Sequence, residues 1–494
     1  MQLKTSAKPI FFIFVVAQNV GRCYNAYEVR VLRRLFGDKP FYKGLLALVI
    51  PIMIQNGITN FVNMLDNIMI GQVGTPEMTG VAITNQLIYV FSLCSFGAVS
   101  GAGILGAQFA GKNDHQGVRY TFRYKLLFGA VIAFVGIAVF LFGGKFLVNM
   151  YMQGDSGITN PALTMKSSLE YLRIMVIGLV PFVVVQCYAS TLREIGHPKL
   201  PMVAGLIAVL FNLVGNYILI FGHFGAPALG VRGAALATVI SRFVEMAVVI
   251  IATHTQTKKY IFAKGAFRSL YIPSILVKQL FLKSLPLIAN EGLWSAGVTA
   301  VNIQYSLRGL DAVAAGNISQ TFWNVFAIAY ITVGAGIGII LGQLLGADKI
   351  EEAKESSYKL ITFSFLVSVC FGSVYFLAAE FIPNFYNTDQ SIRSLATTLM
   401  QIAAITMPFD AICHSSYFVI RSGGKMAITF IFDSGFMWLG NVLLAFILCR
   451  YTTMPFVWVY LLVHLLALAK GIAGIIMVRN GFWARNITKQ ASQG

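Results

Sequence analysis

The chain has 494 residues, of which 57% are hydrophobic and only 11% are charged, and its formal net charge is +18. Soluble domains carry about 25% charged residues, so this composition excludes an ordinary water-soluble protein. A membrane protein is the class that remains, and its excess of basic residues needs an explanation.

Apolar stretches of about 20 residues recur along the whole sequence, and each is long enough to cross a hydrocarbon core as a helix. Backbone groups in lipid must satisfy their own hydrogen bonds, so spanning elements are helices or a closed barrel. The continuous length of these stretches favours helices. The sequence predicts an all-α membrane protein with twelve transmembrane spans, at residues 44–72, 79–108, 125–150, 168–191, 200–221, 231–253, 277–304, 313–345, 358–384, 395–419, 425–448 and 453–478.

Basic residues are concentrated before span 1 and in every second loop, whereas loops 73–78 and 222–230 contain no Lys or Arg. This positive-inside bias predicts that both termini are cytoplasmic. It assigns the excess charge to topology, so we expect a multi-pass protein of the cytoplasmic (plasma) membrane that binds no nucleic acid. The charges assigned to the loop between spans 2 and 3 are Lys112, Arg119, Arg123 and Lys125.

The sequence also repeats itself. Shifted by 235 positions, it places Pro51 on Pro286 and Gly111 on Gly346, and a later shift of 228 places Arg193 on Arg421. Two duplicated halves with the same orientation are a transporter architecture, with the substrate path between them. The predicted segments are a basic N-terminal segment at 1–43, a first half at 44–253, a cytoplasmic linker at 254–276, a second half at 277–478 and a cytoplasmic tail at 479–494.

Small and cyclic residues shape the predicted spans. Glycines four residues apart let helices approach closely, and we interpret those in spans 2 and 8 as packing within one half, without substrate contact. Prolines in spans kink helices, which helps a helix to line a cavity. The glycines are Gly97, Gly101, Gly334, Gly338 and Gly342, and the prolines are Pro51, Pro181, Pro286 and Pro408.

Three acids, Asp66, Glu291 and Asp410, are placed deep within spans. A charge at mid-membrane costs roughly 2.5 to more than 10 kcal/mol, so such residues face a polar cavity, pair with a cation or carry a proton. We expect each acid to couple transport to an ion gradient, with a neutralised structural acid as the alternative. Arg242 and Glu245, three residues apart on span 6, are interpreted as a structural ion pair.

The two halves differ in their ionisable groups. The repeat places Asn56 on Glu291 and Asp66 on Val301. Asn56, Asp433 and His414 are secondary site candidates, and a packing role explains His414 equally well. No phosphate-cradling loop is present, so ATP is not the expected driver. No catalytic arrangement stands out, and the six cysteines form no CxxC pair, so we expect no enzyme, no cofactor and no disulfide.

At these residues the chain resembles the MATE family, the multidrug and toxic compound extrusion antiporters, over residues 44–478. The stretch across spans 5 and 6 is the most specific. The motifs that carry the resemblance are VNMLDNIMIGQVG in span 1, REIGHP after span 4, NLVGNYILIFGHFGAPALGVRGAALATVIS across spans 5 and 6, PLIANEGLW in span 7 and MPFDAICHSSYFVIRSGGK in span 10.

The resemblance implies a V-shaped pair of six-helix lobes around a cleft that opens alternately to each side. It implies export of organic, often cationic, small molecules in exchange for Na+ or H+. Some members carry Asp at position 216 and Tyr at position 406, where this chain has Asn216 and Thr406, and these departures favour Na+ at the C-lobe. The residues that match the polar cluster of the N-lobe are Asp66, Asn212, Asn216 and Thr238, and those that match the C-lobe cation-site acids are Glu291 and Asp410.

Two other functions are weighed against this one. A flippase for lipid-linked sugars or cell-wall precursors needs cations to hold pyrophosphate, whereas the deep charges placed here are acidic, which favours cationic cargo. A membrane-embedded transferase is more remote, because His414, its one candidate, is too deep in span 10. Each chain carries a complete cleft, so we expect a functional monomer surrounded by membrane lipid.

Overall fold

The computed structural model describes residues 35–153, 160–386 and 388–491, so most of the predicted N-terminal segment lies outside it. The described chain is helical throughout, and each of the twelve predicted spans coincides with one helix. The helices are α1 Lys39–Gly71, α2 Thr75–Gly111, α3 His115–Gln153, α4 Pro161–Glu194, α5 Lys199–Phe221, α6 Val231–Thr255, α7 Ser274–Ser306, α8 Leu310–Gly346, α9 Ile350–Ala378, α10 Gln390–Ser422, α11 Met426–Tyr451, α12 Phe456–Arg479 and the short α13 Thr488–Ala491.

Eleven of these helices are long and apolar enough to cross a membrane, counted over the described residues. The exceptions are the short α13 and α7, a helix of 33 residues that carries Lys278, Lys283 and Glu291. The predicted all-α fold is confirmed. Two helices are irregular inside: α4 contains a 3-10 turn at Val176–Gly178, and α11 contains π turns at Ile431–Gly435 and Met437–Val442.

Local sequence accounts for several helix ends. The Asp38 carboxylate accepts a hydrogen bond of 3.0 Å from the backbone N–H of Phe41, and a proline follows in the first turn of α1. Asn160 caps α4 in the same way. Side-chain acceptors and early prolines are typical helix starts. Helix α5 stops at Gly222, whose φ of +78° favours glycine.

Corresponding helices pack in corresponding ways. Helix α2 packs on α3 and α4, and α8 packs on α9 and α10. Between the halves, α2 packs on α7 and on α8, and α1 packs on α8. In the repeat, α1 corresponds to α7 and α2 corresponds to α8. Exchanging the two halves therefore turns the α2–α7 contact into the α8–α1 contact and leaves the α2–α8 contact unchanged. We keep the boundaries 44–253 and 277–478 as a prediction.

Glycines permit the contact between the halves. A Cβ on Gly111 would collide with the backbone carbonyl of Gln343, and one on Gly346 would collide with that of Gln108. A Cβ on Gly101 would lie 2.5 Å from the Cα of Ser284 in α7. The prediction that the glycines of span 2 pack within one half is therefore wrong. Helix α8 is mixed, because Gly334 and Gly338 contact α10 and Gly342 contacts α2.

Three basic residues assigned to a loop, Arg119, Arg123 and Lys125, lie inside α3, which begins ten residues earlier than predicted. The Arg123 guanidinium donates to the carbonyls of Gly265, Ala266 and Tyr271 at 3.0, 2.7 and 3.0 Å, which attaches the linker to the first half. Lys125 forms a buried ion pair. The predicted Arg242–Glu245 pair is not a direct ion pair in the described residues: the two side chains interact electrostatically, and Arg242 donates to the carbonyl of Gly178.

Candidate functional site

A polar cluster lies in the first half, where α1 packs on α5 and α5 packs on α6. Its centre is Asp66 of α1, a half-buried acid. The side-chain amide of Asn216 donates to Asp66 Oδ1 at 2.5 Å and to Asn212 Oδ1 at 3.3 Å. The amide nitrogen of Asn212 lies 3.1 Å from Thr238 Oγ1. The structure therefore brings together all four residues that the resemblance assigns to this half.

The amide of Asn212 has a second orientation that suits Asp66 better. With its oxygen and nitrogen exchanged, the nitrogen lies 3.1 and 3.2 Å from the two Asp66 oxygens and the oxygen accepts from Thr238 at 3.1 Å. Such orientations are assigned from the hydrogen-bond network. The hydroxyl of Tyr171, a fully buried residue of α4 missed in the sequence, also interacts with Thr238. Among the described residues Asp66 has no cationic partner, so neutral donors alone surround it.

The second half contains a different arrangement, centred on an ion pair. Lys470 of α12 lies with its Nζ 2.7 Å from Asp433 Oδ1. The other carboxylate oxygen of Asp433 accepts from the Asn290 amide at 3.0 Å. Ser434 donates to the side-chain and backbone oxygens of Asn290 at 2.8 and 2.9 Å. Asp433 and Ser434 both lie in a π turn, and such turns frequently mark functional sites.

Glu291 follows Asn290 on α7 and lies toward the other half. It interacts electrostatically with Arg421, Asp433 and Tyr417 and also with Tyr89 of α2. Arg421 in turn donates to the Tyr417 hydroxyl at 3.0 Å and, across the halves, to Ser100. Its guanidinium lies over three aromatic rings, those of Phe96, Tyr417 and Phe418.

Asp410 of α10 has different neighbours. Its carboxylate interacts electrostatically with Lys470 and lies near the buried Tyr330 and Tyr460. No hydrogen bond or ion pair in the described chain joins Asp410 to Glu291. Asp410 interacts electrostatically with Lys470, whereas Glu291 interacts electrostatically with Arg421. Joint binding of Na+ by Glu291 and Asp410 stays a prediction.

The side-chain oxygen atoms of Asp433 and Asn290 already accept hydrogen bonds, which leaves few lone pairs there for a sodium ion. Both oxygens of Asp433 accept from nitrogen donors, and Asn290 Oδ1 accepts from Ser434. Over the residues that the structure describes, no three His, Cys, Asp or Glu side chains are placed to hold one metal ion. Asp433 and Asn290 therefore do not fit sodium in the arrangement observed.

The secondary candidates have separate locations. The amide of Asn56 donates to Thr332 of α8 at 3.4 Å, so this residue lies between the halves. The ring of His414 packs among Tyr330, Tyr417 and Phe418, and its Nε2 has no hydrogen-bond partner. These contacts favour a packing role for His414 over a role in the site. Asp433 does belong to a polar network, and Lys470, its partner, was missed although a lone lysine stands out in LLALAKGIAGII.

In the part of the chain that the structure describes, hydrogen bonds join the two halves from mid-span to one end. The side chain of Gln108 donates to the carbonyl of Ser422 at 3.0 Å, and its repeat counterpart Gln343 donates to the carbonyl of Glu194 at 2.6 Å. In the described residues, every hydrogen bond between the halves involves the later part of α2, the later part of α8 or the tail, so these bonds lie between mid-span and the end predicted to be cytoplasmic. Toward the other end, exposed polar side chains occupy both central helices: Gln86 and Tyr89 on α2, and Asn317, Gln320 and Asn324 on α8.

Two duplicated helical halves, joined at one end and carrying intramembrane acids, define a secondary transporter. The MatE family model matches residues 51–218 and 286–447, one stretch in each half and more than half of the chain. The chain belongs to this family, the MATE transporters, and is an integral multi-pass membrane protein.

The relatives agree with this assignment. The chain is 24% identical over 417 residues to "Probable multidrug resistance protein NorM" of Thermotoga maritima, covering 83% of this chain and 86% of the relative. It is 26% identical over 370 residues to "Multidrug resistance protein MdtK" of Pectobacterium atrosepticum, covering 74% and 79%. A solved structure described as the outward-facing conformation of a multidrug resistance MATE family transporter has a similar fold. It has a TM-score of 0.80 and 17% identity, and the match covers 91% of this chain and 97% of that one.

Proposed function

We propose that the protein exports organic, cationic small molecules across the cytoplasmic membrane by alternating access, as an antiporter coupled to Na+ or H+. Relatives named as multidrug resistance proteins support this proposal. The charge bias of the loops favours a cytoplasmic location for both termini. One chain provides both halves, so we propose a monomer as the working unit. We expect this monomer to need no cofactor and to catalyse no covalent chemistry.

One observation carries the proposal: Asp66 is half-buried among neutral donors and has no cationic partner in the described chain. An unpaired carboxylate at membrane depth is costly and is a functional site by default. It can lower this cost by taking up a proton or a cation. Because Asp66 links α1 to α5, a change in its charge alters the packing of two helices of the first half.

Such uptake drives transport only if it favours one conformation over the other. The hydrogen bonds between the halves lie between mid-span and the predicted cytoplasmic end, so we place the opening of the proposed cleft on the outside. Return to the inside requires the glycine contacts of α2 and α8 to separate. We assign Asp66 the role of the group whose loading biases this equilibrium, and we assign the exposed polar side chains of α2 and α8 to the cleft wall.

The flippase alternative is the second candidate, because the second half contains two deep cations. Neither is free for pyrophosphate. Lys470 is paired with Asp433 at 2.7 Å, and Arg421 donates to Tyr417 and Ser100 and lies over aromatic rings. Two engaged cations and three acids favour a cationic cargo over an anionic one.

Ethidium movement in liposomes that contain the purified protein tests the proposal. A sodium gradient and a proton gradient are imposed separately on wild type, Asp66→Asn and Glu291→Gln. The matched control is Asp311→Asn, an exposed acid at the start of α8. We expect gradient-driven movement in wild type and the control, and at least a tenfold loss in Asp66→Asn. Full transport by Asp66→Asn would contradict its role.

If neither wild type nor any variant moves ethidium under either gradient, ethidium-like cargo is contradicted. Movement of a fluorescent lipid-linked sugar in the same liposomes would then favour the flippase.

A further inference from the structure

The ion pair of the second half raises a question about the coupling ion. The ammonium of Lys470 lies 2.7 Å from Asp433, and the two side chains are only 16% and 19% exposed. The same ammonium interacts electrostatically with Asp410, beyond the distance of an ion pair. One lysine is therefore paired with Asp433 and also acts on Asp410, an acid of the region where the sequence predicts a sodium site.

The hydrogen bonds leave a free cation few ligands. A sodium ion needs oxygen lone pairs directed at it. In this half the Asp433 oxygens point at Lys470 and Asn290, and the side-chain oxygen of Asn290 points at Ser434. The donor hydrogens occupy the directions in which a sodium ion would lie. Phe432 and Phe436 further enclose the ammonium, with their ring centroids 5.3 and 5.8 Å from Nζ.

The pair also joins three helices, because Lys470 belongs to α12, Asp433 to α11 and Asn290 to α7. A buried charge with one partner removed is strongly destabilising. The lysine thus takes the structural role of a bound cation: it balances the charge of Asp433 and holds the helices around that carboxylate together. It differs from a bound ion in being covalently attached, so it cannot be exchanged.

We infer that Lys470 is the resident cation of this carboxylate site, that the second half binds no free Na+, and that coupling to the ion gradient falls to Asp66. The inference deepens the proposed function and rests on it for the role of Asp66. The exclusion of sodium is independent of transport, so a direct sodium titration tests it even if no substrate is found.

The experiment measures the thermal unfolding midpoint of the purified protein in detergent, with NaCl replacing KCl at constant ionic strength. We expect no sodium-specific shift that depends on Asp410 or Glu291 in wild type or in Lys470→Arg, which keeps the cation. Lys470→Met leaves Asp433 and Asp410 without it. We expect a lower midpoint in KCl and a saturable rise of about 2 °C with NaCl. The double variant Lys470→Met/Asp433→Asn should lose that rise.

A saturable sodium shift in wild type that disappears in Asp410→Asn or Glu291→Gln would overturn the inference. So would the absence of any sodium effect in a folded Lys470→Met protein, because the lysine would then not occupy a cation's place. If Lys470→Met does not fold, Lys470→Gln, which keeps a hydrogen-bond donor but no charge, replaces it and is judged by the same outcomes.

Discussion

Lys125 and Glu194 form a buried ion pair in the first half, with Nζ 2.6 Å from Oε2 and side chains 0% and 5% exposed. Ser190 and Thr191 complete the shell, the first through a short bond to the Glu194 carboxylate. A Cβ on Gly103 would lie 2.6 Å from Glu194 Oε1. The glycines of α2 therefore make room for this carboxylate, as well as for the other half.

Removal of one partner should destabilise the fold far more than removal of both. Glu194→Gln leaves the Lys125 ammonium buried without a counter-charge, which typically costs about 3–5 kcal/mol. We expect a clear drop in its thermal unfolding midpoint and a substantial recovery in Lys125→Met/Glu194→Leu. The control is Glu351→Gln, whose partner Lys354 lies on the surface. Equal midpoints for Glu194→Gln and that control would contradict a structural role for the pair.

The crossing of α2 and α8 should be intolerant of a single methyl group. Gly111→Ala forces a Cβ into the carbonyl of Gln343, so the halves must separate at this end. We expect faster labelling of a cysteine placed at Ala107, which is buried against Gly342 of α8, in a background lacking the native cysteines. Gly57→Ala is the matched control, because nothing lies within 4 Å of its added Cβ. Unchanged labelling in Gly111→Ala would show that the contact yields without opening.

Attachment of the linker should depend on Arg123. Its guanidinium holds three linker carbonyls, so Arg123→Met removes three charge-assisted hydrogen bonds at once. We expect trypsin to cleave within residues 254–276 at least tenfold faster, measured by mass spectrometry of the fragments. Lys112→Met, an exposed residue at the end of α2, controls for the loss of a positive charge and leaves every trypsin site of the linker in place. Equal cleavage of the two variants would contradict the assignment.

His197, in the turn between α4 and α5, should make stability depend on pH. Partial burial, reinforced by the positive charge of Lys259, lowers the pKa of His197 below its ordinary value of 6.5. Its ring packs edge-on against Tyr260 of the linker, 5.3 Å between centroids. The unfolded chain then binds the proton more readily. The contribution of neutral His197 to the free energy of unfolding is therefore complete above about pH 6.5 and is lost as the pH falls toward the pKa of His197 in the folded protein.

We expect His197→Phe to flatten the fall in unfolding midpoint between about pH 7 and pH 5. His115→Gln, at the exposed start of α3, should leave that fall unchanged. A steeper fall in His197→Phe than in wild type would reverse the sign and contradict the argument.

The helices were predictable because span length and hydropathy are set by the bilayer and need no knowledge of neighbours. The cluster around Asp66 was predictable from motif resemblance alone. Asp66 and Asn216 are 150 positions apart, and no periodicity indicates that they meet. The charge count that predicts topology is blind to burial, which is why Arg123 and Lys125 were assigned to a loop.

The ion pair of the second half was missed for a related reason. Lys470 and Asp433 lie on different helices, and the π turn that aims Asp433 at α12 has no signature in the sequence. A lone lysine in an apolar run indicates a buried charge but does not name its partner. The acids could therefore be found from the sequence, whereas the cations beside them required the packed structure.

The glutamine contacts that relate the two halves are not equivalent. Gln343 makes one bond across the halves, whereas Gln108 also donates to the carbonyl of Arg485 at 3.1 Å and accepts from the backbone N–H of Ile487 at 2.9 Å. Separation of the helices at this end therefore has to release the tail on one side only. A purification tag or reporter fused beyond Lys489 would act on the contacts of Gln108 with Arg485 and Ile487. The position of the label is therefore an experimental variable in any study of how the protein changes shape.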